Sequence, residues 1–233
     1  MMKKLSLCTM LLLVGCSGAS KATLEGRYTV ANGAVTHEYL RGGTMLSASS
    51  KSQAPNLMIG SWNSDKGMLD YSLIGVHQPH VQRETTMVTV TDKELTTRKD
   101  GSAQKFVRQE PPKGPQRAAL VGVWKNQEPG AELALVYGEG DYGLEVVSLK
   151  TPVSSWGALA KNGRIGIPMR VTCSDDKTLQ EELTDGAGSA SRTRTFEIAG
   201  DVLTLREGGK PDRKFKRIES LPMGEQTVDE SKL

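Results

Sequence analysis

The run Gly138-Glu139-Gly140-Asp141-Tyr142-Gly143 has the spacing G-x-G-x-x-G. In that pattern, backbone N–H groups and the start of a following helix hold a pyrophosphate. Here the next residues, Leu144-Glu145-Val146-Val147-Ser148-Leu149, read as a strand. The carboxylates of Glu139 and Asp141 would also repel phosphate, so the run reads as a glycine-rich hairpin turn and no cofactor is expected. His77-Gln78-Pro79-His80 brings two of the three histidines together, but a metal site needs three or four ligands. No acid lies beside them, and no metal is expected. None of His37, His77 and His80 has a visible Ser or Cys partner, and no G-x-S-x-G elbow occurs. Asp175 and Asp176 are adjacent, so in a strand they face opposite ways. No catalytic constellation is visible, and the chain does not read as an enzyme, an enzyme whose site assembles from distant residues being the third option.

Other reactive groups have plainer readings. Three cysteines in 233 residues exclude a disulfide scaffold. Cys173 is followed by Ser174-Asp175-Asp176, and neighbouring acids raise a thiol pKa, so it reads as a small buried hydrophobe. Lys210, Arg213, Lys214, Lys216 and Arg217 form the strongest basic cluster. They read as the polar face of a last strand with Phe215 turned inward, the alternative being contact with anionic head groups. Trp62 and Trp156 read as core, with a ligand-lining role as the other option. Thirty basic against 27 acidic side chains is too even a balance for a nucleic-acid partner.

The N-terminus carries the sharpest signal. Lys3 and Lys4 precede a mostly apolar Leu5 to Val14, which is too short to cross a bilayer and ends in Leu13-Val14-Gly15-Cys16. These residues resemble the signal peptide and lipobox of bacterial lipoproteins. The resemblance implies that residues 1–15 are removed and that Cys16 is lipidated, anchoring the chain to a membrane through acyl chains. At about 0.8 kcal/mol per buried methylene, several such chains hold firmly. It also implies, from Ser17 after the cysteine, sorting to the outer membrane on its periplasm-facing side. The mature chain would have 218 residues with 28 basic and 27 acidic side chains. The C-terminal Ser231-Lys232-Leu233 matches a peroxisomal address, which an export signal contradicts.

The elements that must position any site repeat. Leu24-Glu25-Gly26-Arg27-Tyr28 parallels Leu120-Val121-Gly122-Val123-Trp124, and Phe106-Val107-Arg108 parallels Phe215-Lys216-Arg217. A shared beginning and end in the same order point to duplication. Between the copies, Glu110-Pro111-Pro112-Lys113-Gly114-Pro115-Gln116 cannot continue a strand ladder and reads as a linker. Within each copy, period-two patterns broken by turn residues predict hairpins: Met87–Val90 into Leu95–Arg98 around Asp92-Lys93, and Thr195–Ile198 into Leu203–Arg206 around Gly200-Asp201. Further strands are expected at Asn56–Trp62, Met68–Ile74, Ala131–Tyr137, Leu144–Leu149 and Arg164–Met169. The expectation is an all-β chain. A tether at 16–22 leads to a first β domain at 23–109, a linker at 110–118, a second β domain at 119–219 and a tail at 220–233.

A Gly-x-aromatic in the first strand and a basic residue closing the last resemble lipocalin-like barrels. The resemblance implies an Arg packed across the aromatic ring: Arg108 over Tyr28 beside Gly26, and Arg217 over Trp124 beside Gly122. It implies two tandem antiparallel barrels, each shorter than an ordinary lipocalin. Small eight-stranded barrels fill their interiors with side chains. The functional expectation is a non-catalytic binding module for an apolar small molecule or envelope component, with ligand-binding residues unassigned. The alternative is a structural or accessory lipoprotein of an envelope assembly or secretion machine, meeting an unknown protein partner.

Overall fold

A computed structural model describes residues 23–49, 56–76, 81–146, 166–184 and 189–221. Eight strands, β1 (Gly26–Val30), β2 (Val35–Tyr39), β3 (Thr44–Ser49), β4 (Asn56–Asp65), β5 (Met68–Gly75), β6 (Val81–Val90), β7 (Glu94–Lys99) and β8 (Ser102–Arg108), pair in sequence order, and β8 returns to β1. A short helix α1 (Pro115–Leu120) follows. A second set then closes in the same way: β9 (Gly122–Asn126), β10 (Ala134–Tyr137), β11 (Tyr142–Val146), β12 (Gly166–Cys173), β13 (Thr178–Thr184), β14 (Ser189–Ala199), β15 (Val202–Arg206) and β16 (Arg213–Ile218). The chain is all-β, with two closed antiparallel barrels. Among the described residues no helix is long and apolar enough to cross a membrane.

The expected hairpins form where the turn chemistry sits. Val90 pairs with Leu95, and the Thr91 hydroxyl accepts the N–H groups of Lys93 and Glu94, which sets the turn. Ala199 pairs with Val202 across Gly200, whose φ of 60° suits glycine. The duplication extends to register. Gly26 faces Tyr39 as Gly122 faces Tyr137, and pairing followed strand by strand closes on Tyr28–Arg108 in one barrel and Trp124–Arg217 in the other. The two barrels therefore share strand number and stagger, which together set barrel diameter.

Inward faces are packed. Tyr28, Tyr39, Met45, Leu69, Leu73, Leu95 and Phe106 fill the first barrel, and Trp124, Leu135, Tyr137, Met169, Leu179, Phe196 and Phe215 the second. Phe215 is buried between exposed Lys214 and Lys216, so those two lysines form the outer face of β16; Arg213 and Arg217 share the parity of Phe215, Arg213 over its ring and Arg217 over Trp124. A third apolar cluster draws on both barrels: Leu40, Leu46, Leu57 and Ile59 meet Val123, Val136, Leu144 and Val146.

An arginine closes each barrel. The Arg217 guanidinium carbon lies 4.1 Å from the Trp124 ring centroid, and that of Arg108 5.6 Å from Tyr28. Arg217 also donates to Val121 O at 2.7 Å and to Ala119 O, and Arg108 to Glu25 O at 2.6 Å. The glycines of the shared motif have φ near +135°, and a Cβ on Gly122 would lie 2.5 Å from an Arg217 nitrogen. Glycine is needed there for both conformation and clearance.

The segment read as a linker is partly structured. Pro115 starts α1, where its fixed φ suits the first turn. The Gln116 and Arg117 N–H groups donate to Asp176 Oδ1 from the β12–β13 turn at 3.2 and 3.3 Å. At the other end the Trp124 indole donates to Leu120 O at 2.7 Å. Together with Arg217, this indole takes up carbonyls a helix end leaves open, so α1 is fastened to the second barrel.

Arg217→Ala removes a ring contact and two hydrogen bonds and should cost about 2–3 kcal/mol. Arg108→Ala, with a longer ring contact and one bond, should cost less than half as much. Urea unfolding of the two variants, followed by far-UV circular dichroism, checks that order.

Candidate functional site

Strand alternation sets up the junction between the barrels. His37 and Tyr39 on β2 point into the first barrel, so Glu38 points out of it. The outward carboxylate does not meet water: Glu38 is 2% exposed because the β10–β11 turn covers it. Glu139 N–H donates to Glu38 Oε2 at 2.5 Å and Gly140 N–H to Oε1 at 3.1 Å. On the same turn, Arg117 of α1 donates to Gly138 O at 2.9 Å and to Gly140 O at 2.7 Å. The turn's donors thus go to one barrel and two of its acceptors to a buried guanidinium of the other unit. A Cβ on Gly138 would lie 2.2 Å, and one on Gly140 2.7 Å, from a Glu38 oxygen. The glycine-rich run is a hairpin turn, and its backbone does grip an anion; the anion is the protein's own Glu38.

Burial pushes the Glu38 carboxyl up to about 7, against the two N–H groups and the Arg27 charge. Glu139 is raised as well, chiefly by burial. Beside this contact, Gly42 in the β2–β3 turn (φ 84°) lies so close to the Glu219 carbonyl that any side chain would collide with it.

A cleft of about 620 Å³ opens between the barrels next to this seam. Leu40 from the first barrel, Pro111 and Pro112 from the connection, Ala118 and Val121 around α1, and Ile218 at the end of β16 supply its apolar surface. Glu25, Arg41, Glu139, Asp201, Arg217 and Glu219 supply charge. The volume lies within the roughly 300–1,000 Å³ range of small-molecule sites. The lining contains no Ser, Cys or His, so it offers an apolar surface with charged anchors and no side-chain nucleophile of those types.

Other sequence candidates lie apart from the cleft. Cys173 is half-buried against the second core, a free thiol that burial pushes up in pKa. Asp175 and Asp176 serve local turns and α1 rather than a shared site. Trp62 donates its indole N–H to Leu40 O and Thr44 O at 3.1 Å and packs on the first core. Cys16, His77, His80 and Trp156 lie outside the described residues. His37 lies in the first barrel, where burial takes its ring down to about 4, with Tyr39 Oη 3.4 Å from Nδ1. Among the described residues no three His, Cys, Asp or Glu side chains gather as a metal cage.

The sequence reading missed the seam, although a signal was present. Ala134-Leu135-Val136-Tyr137 and Met45-Leu46 are apolar without alternation, which in an antiparallel strand points to cover on both faces, and residues 44–48 and 134–137 are buried throughout. No protein-family model and no curated protein sequence matches the chain.

The seam predicts a pH dependence. A carboxyl raised from 4.5 to about 7 binds more protons folded than unfolded, so its stabilising effect is complete below 4.5 and is lost as pH rises through 7. The loss is on the order of 3 kcal/mol at 1.36 kcal/mol per pKa unit. His37 works oppositely, losing stability as pH falls from 6.5 to about 4. The two opposite slopes cover nearly the same window, so the wild-type profile should be nearly level from pH 4.5 to 8. In Glu38→Gln the His37 effect is unopposed, and denaturant melts taken across the range should show stability climbing from pH 4 to 6.5.

Proposed function

We propose that this chain is an outer-membrane lipoprotein, anchored through Cys16 and facing the periplasm. Its paired barrels act as a non-catalytic binding module for an apolar small molecule or an envelope component. The inter-barrel cleft is the observation that carries this reading. Large side chains fill the centre of both barrels, and the larger opening, the cleft, is of ligand size and has apolar walls. Seam contacts on both barrels hold its walls in place, which keeps the ordering cost of binding low.

Position supports the same reading. Glu25 at the cleft is nine residues from Cys16. Even a fully extended tether keeps the cleft within about 32 Å of the lipidated residue, at about 3.5 Å per residue. Closure also matters for the accessory role: because each sheet returns on itself, a partner strand has no free edge to extend.

The test is native mass spectrometry of the lipoprotein extracted from its own membranes. A retained apolar small molecule is expected, and it should be lost in Ala118→Trp. Ala118 is exposed and lines the cleft, so this change fills the cleft without touching a core. Retention unchanged by Ala118→Trp removes the cleft from the reading, and a defined protein crosslinked in cells in place of a small molecule favours the accessory role. Cys16→Ala should move the protein from the membrane fraction to the soluble fraction.

A further inference from the structure

Shared register allows the two barrel interiors to be compared position by position. Carried around the sheets, it equates Tyr71 with Glu181, Glu84 with Arg192, Thr86 with Arg194 and Lys99 with Glu207. In the second barrel these positions are filled with charge. Glu181 is wholly buried and accepts Tyr137 Oη at 2.7 Å and Arg192 Nε at 2.5 Å, with Arg194 Nε at 3.4 Å. Arg192 also reaches Glu145 at 2.7 Å, and Arg194 reaches Glu207 at 3.6 Å. Two guanidinium groups thus occupy that end of the barrel around a carboxylate and a tyrosine.

The first barrel places a tyrosine, Tyr71, at the Glu181 position and a carboxylate, Glu84, at the Arg192 position, and its cavity lining contains no arginine. Tyr71 Oη donates to Glu84, and Gln82 donates to Tyr71 Oη at 3.3 Å. Thr86 stands where Arg194 does, and its hydroxyl is turned to Arg98 O at 2.9 Å. The space is a cavity of about 150 Å³. At roughly 30 Å³ per water, it has room for about five water-sized groups, enough for a small polar head. Its walls are aromatic: His37 lies 5.1 Å from Phe106 and 6.2 Å from both Tyr39 and Tyr71, centroid to centroid. Burial keeps that imidazole neutral at physiological pH. One cation reaches Glu84 there, Lys99 at 3.2 Å, and its side chain is 54% exposed. It approaches from the solvent side and is free to swing away.

An aromatic wall with a half-buried carboxylate is the surrounding that a cation seeks. From the comparison with the second barrel, we propose that the mouth of the first barrel is a binding site for a small organic cation with a guanidinium or ammonium head. Glu84 is its counter-ion, and Lys99 is a displaceable internal competitor. The site is separate from the inter-barrel cleft, sharing only Tyr39 with it.

Isothermal titration calorimetry of the detergent-solubilised full chain tests this, with methylguanidinium and ethylammonium as probes and methylurea as the neutral isostere. The expected results are saturable binding of at least one cation and none of methylurea, with the His37 ring signals shifting in NMR. Glu84→Gln should weaken the cation at least tenfold. Lys99→Ala should tighten it at least threefold, an effect that a general loss of structure does not mimic. Equal response to methylguanidinium, ethylammonium and methylurea overturns the proposal, as does cation affinity unchanged or weakened in Lys99→Ala. The second variant decides the matter even where Glu84→Gln fails to fold.

Discussion

A single turn, Gly138 to Asp141, ties the molecule together, with Glu38 of one barrel on its N–H groups and Arg117 on two of its carbonyls. Burying these charges without partners would cost several kcal/mol each. Here the peptide dipoles of one short turn solvate both, so a carboxylate and a guanidinium are held in an apolar seam without touching each other. Glycine makes this possible, because a Cβ at 138 or 140 would stand where the Glu38 oxygens are. The apolar cluster around Leu46, Ile59, Val136 and Leu144 closes over the contact and excludes water. The inter-barrel cleft opens beside this seam, with Glu139 of the turn and Pro111 and Pro112 of the connection in its wall.

Each barrel meets a geometric demand of its own. A closed sheet needs its first and last strands to meet in a set register, and the arginine on the last strand lies over the aromatic of the first at that joint. With closure handled identically in both copies, their interiors were free to diverge. The second barrel spends its inner polar positions on a carboxylate–arginine network, while the first leaves a cavity rimmed by aromatics. The duplicate thus serves as an internal reference for what the first barrel lacks.

Much of the fold was legible because it follows from local rules. Alternating Val88 and Val90, the Gly200-Asp201 turn and the paired Gly-x-aromatic and terminal Arg motifs each carry their physical reason within a few residues. The site was less legible. Nothing in Val35-Thr36-His37-Glu38-Tyr39 says that Glu38 is buried: strand parity places it outside the barrel, where water would be expected. Only the arrival of the second barrel turns that outer face into an interior. The apolar pairs Met45-Leu46 and Leu135-Val136, where alternation breaks, were its local trace. The strand expected after the Gly138–Gly143 run is there, and the run is a hairpin turn. Its partner lay about a hundred residues away and could not be inferred from spacing.

The sequence by itself determined the strand pattern, the duplication and the residues that lock each barrel, because period-two burial, turn chemistry and an arginine–aromatic pair are properties of short segments. Its first fifteen residues and Cys16 likewise hold the whole argument for a lipid anchor. The tertiary structure alone decided which outward faces become interior, which charges share a turn and where a cleft of ligand size remains. Those depend on the docking of two closed surfaces, and docking is set by shape and desolvation over residues that no local window contains.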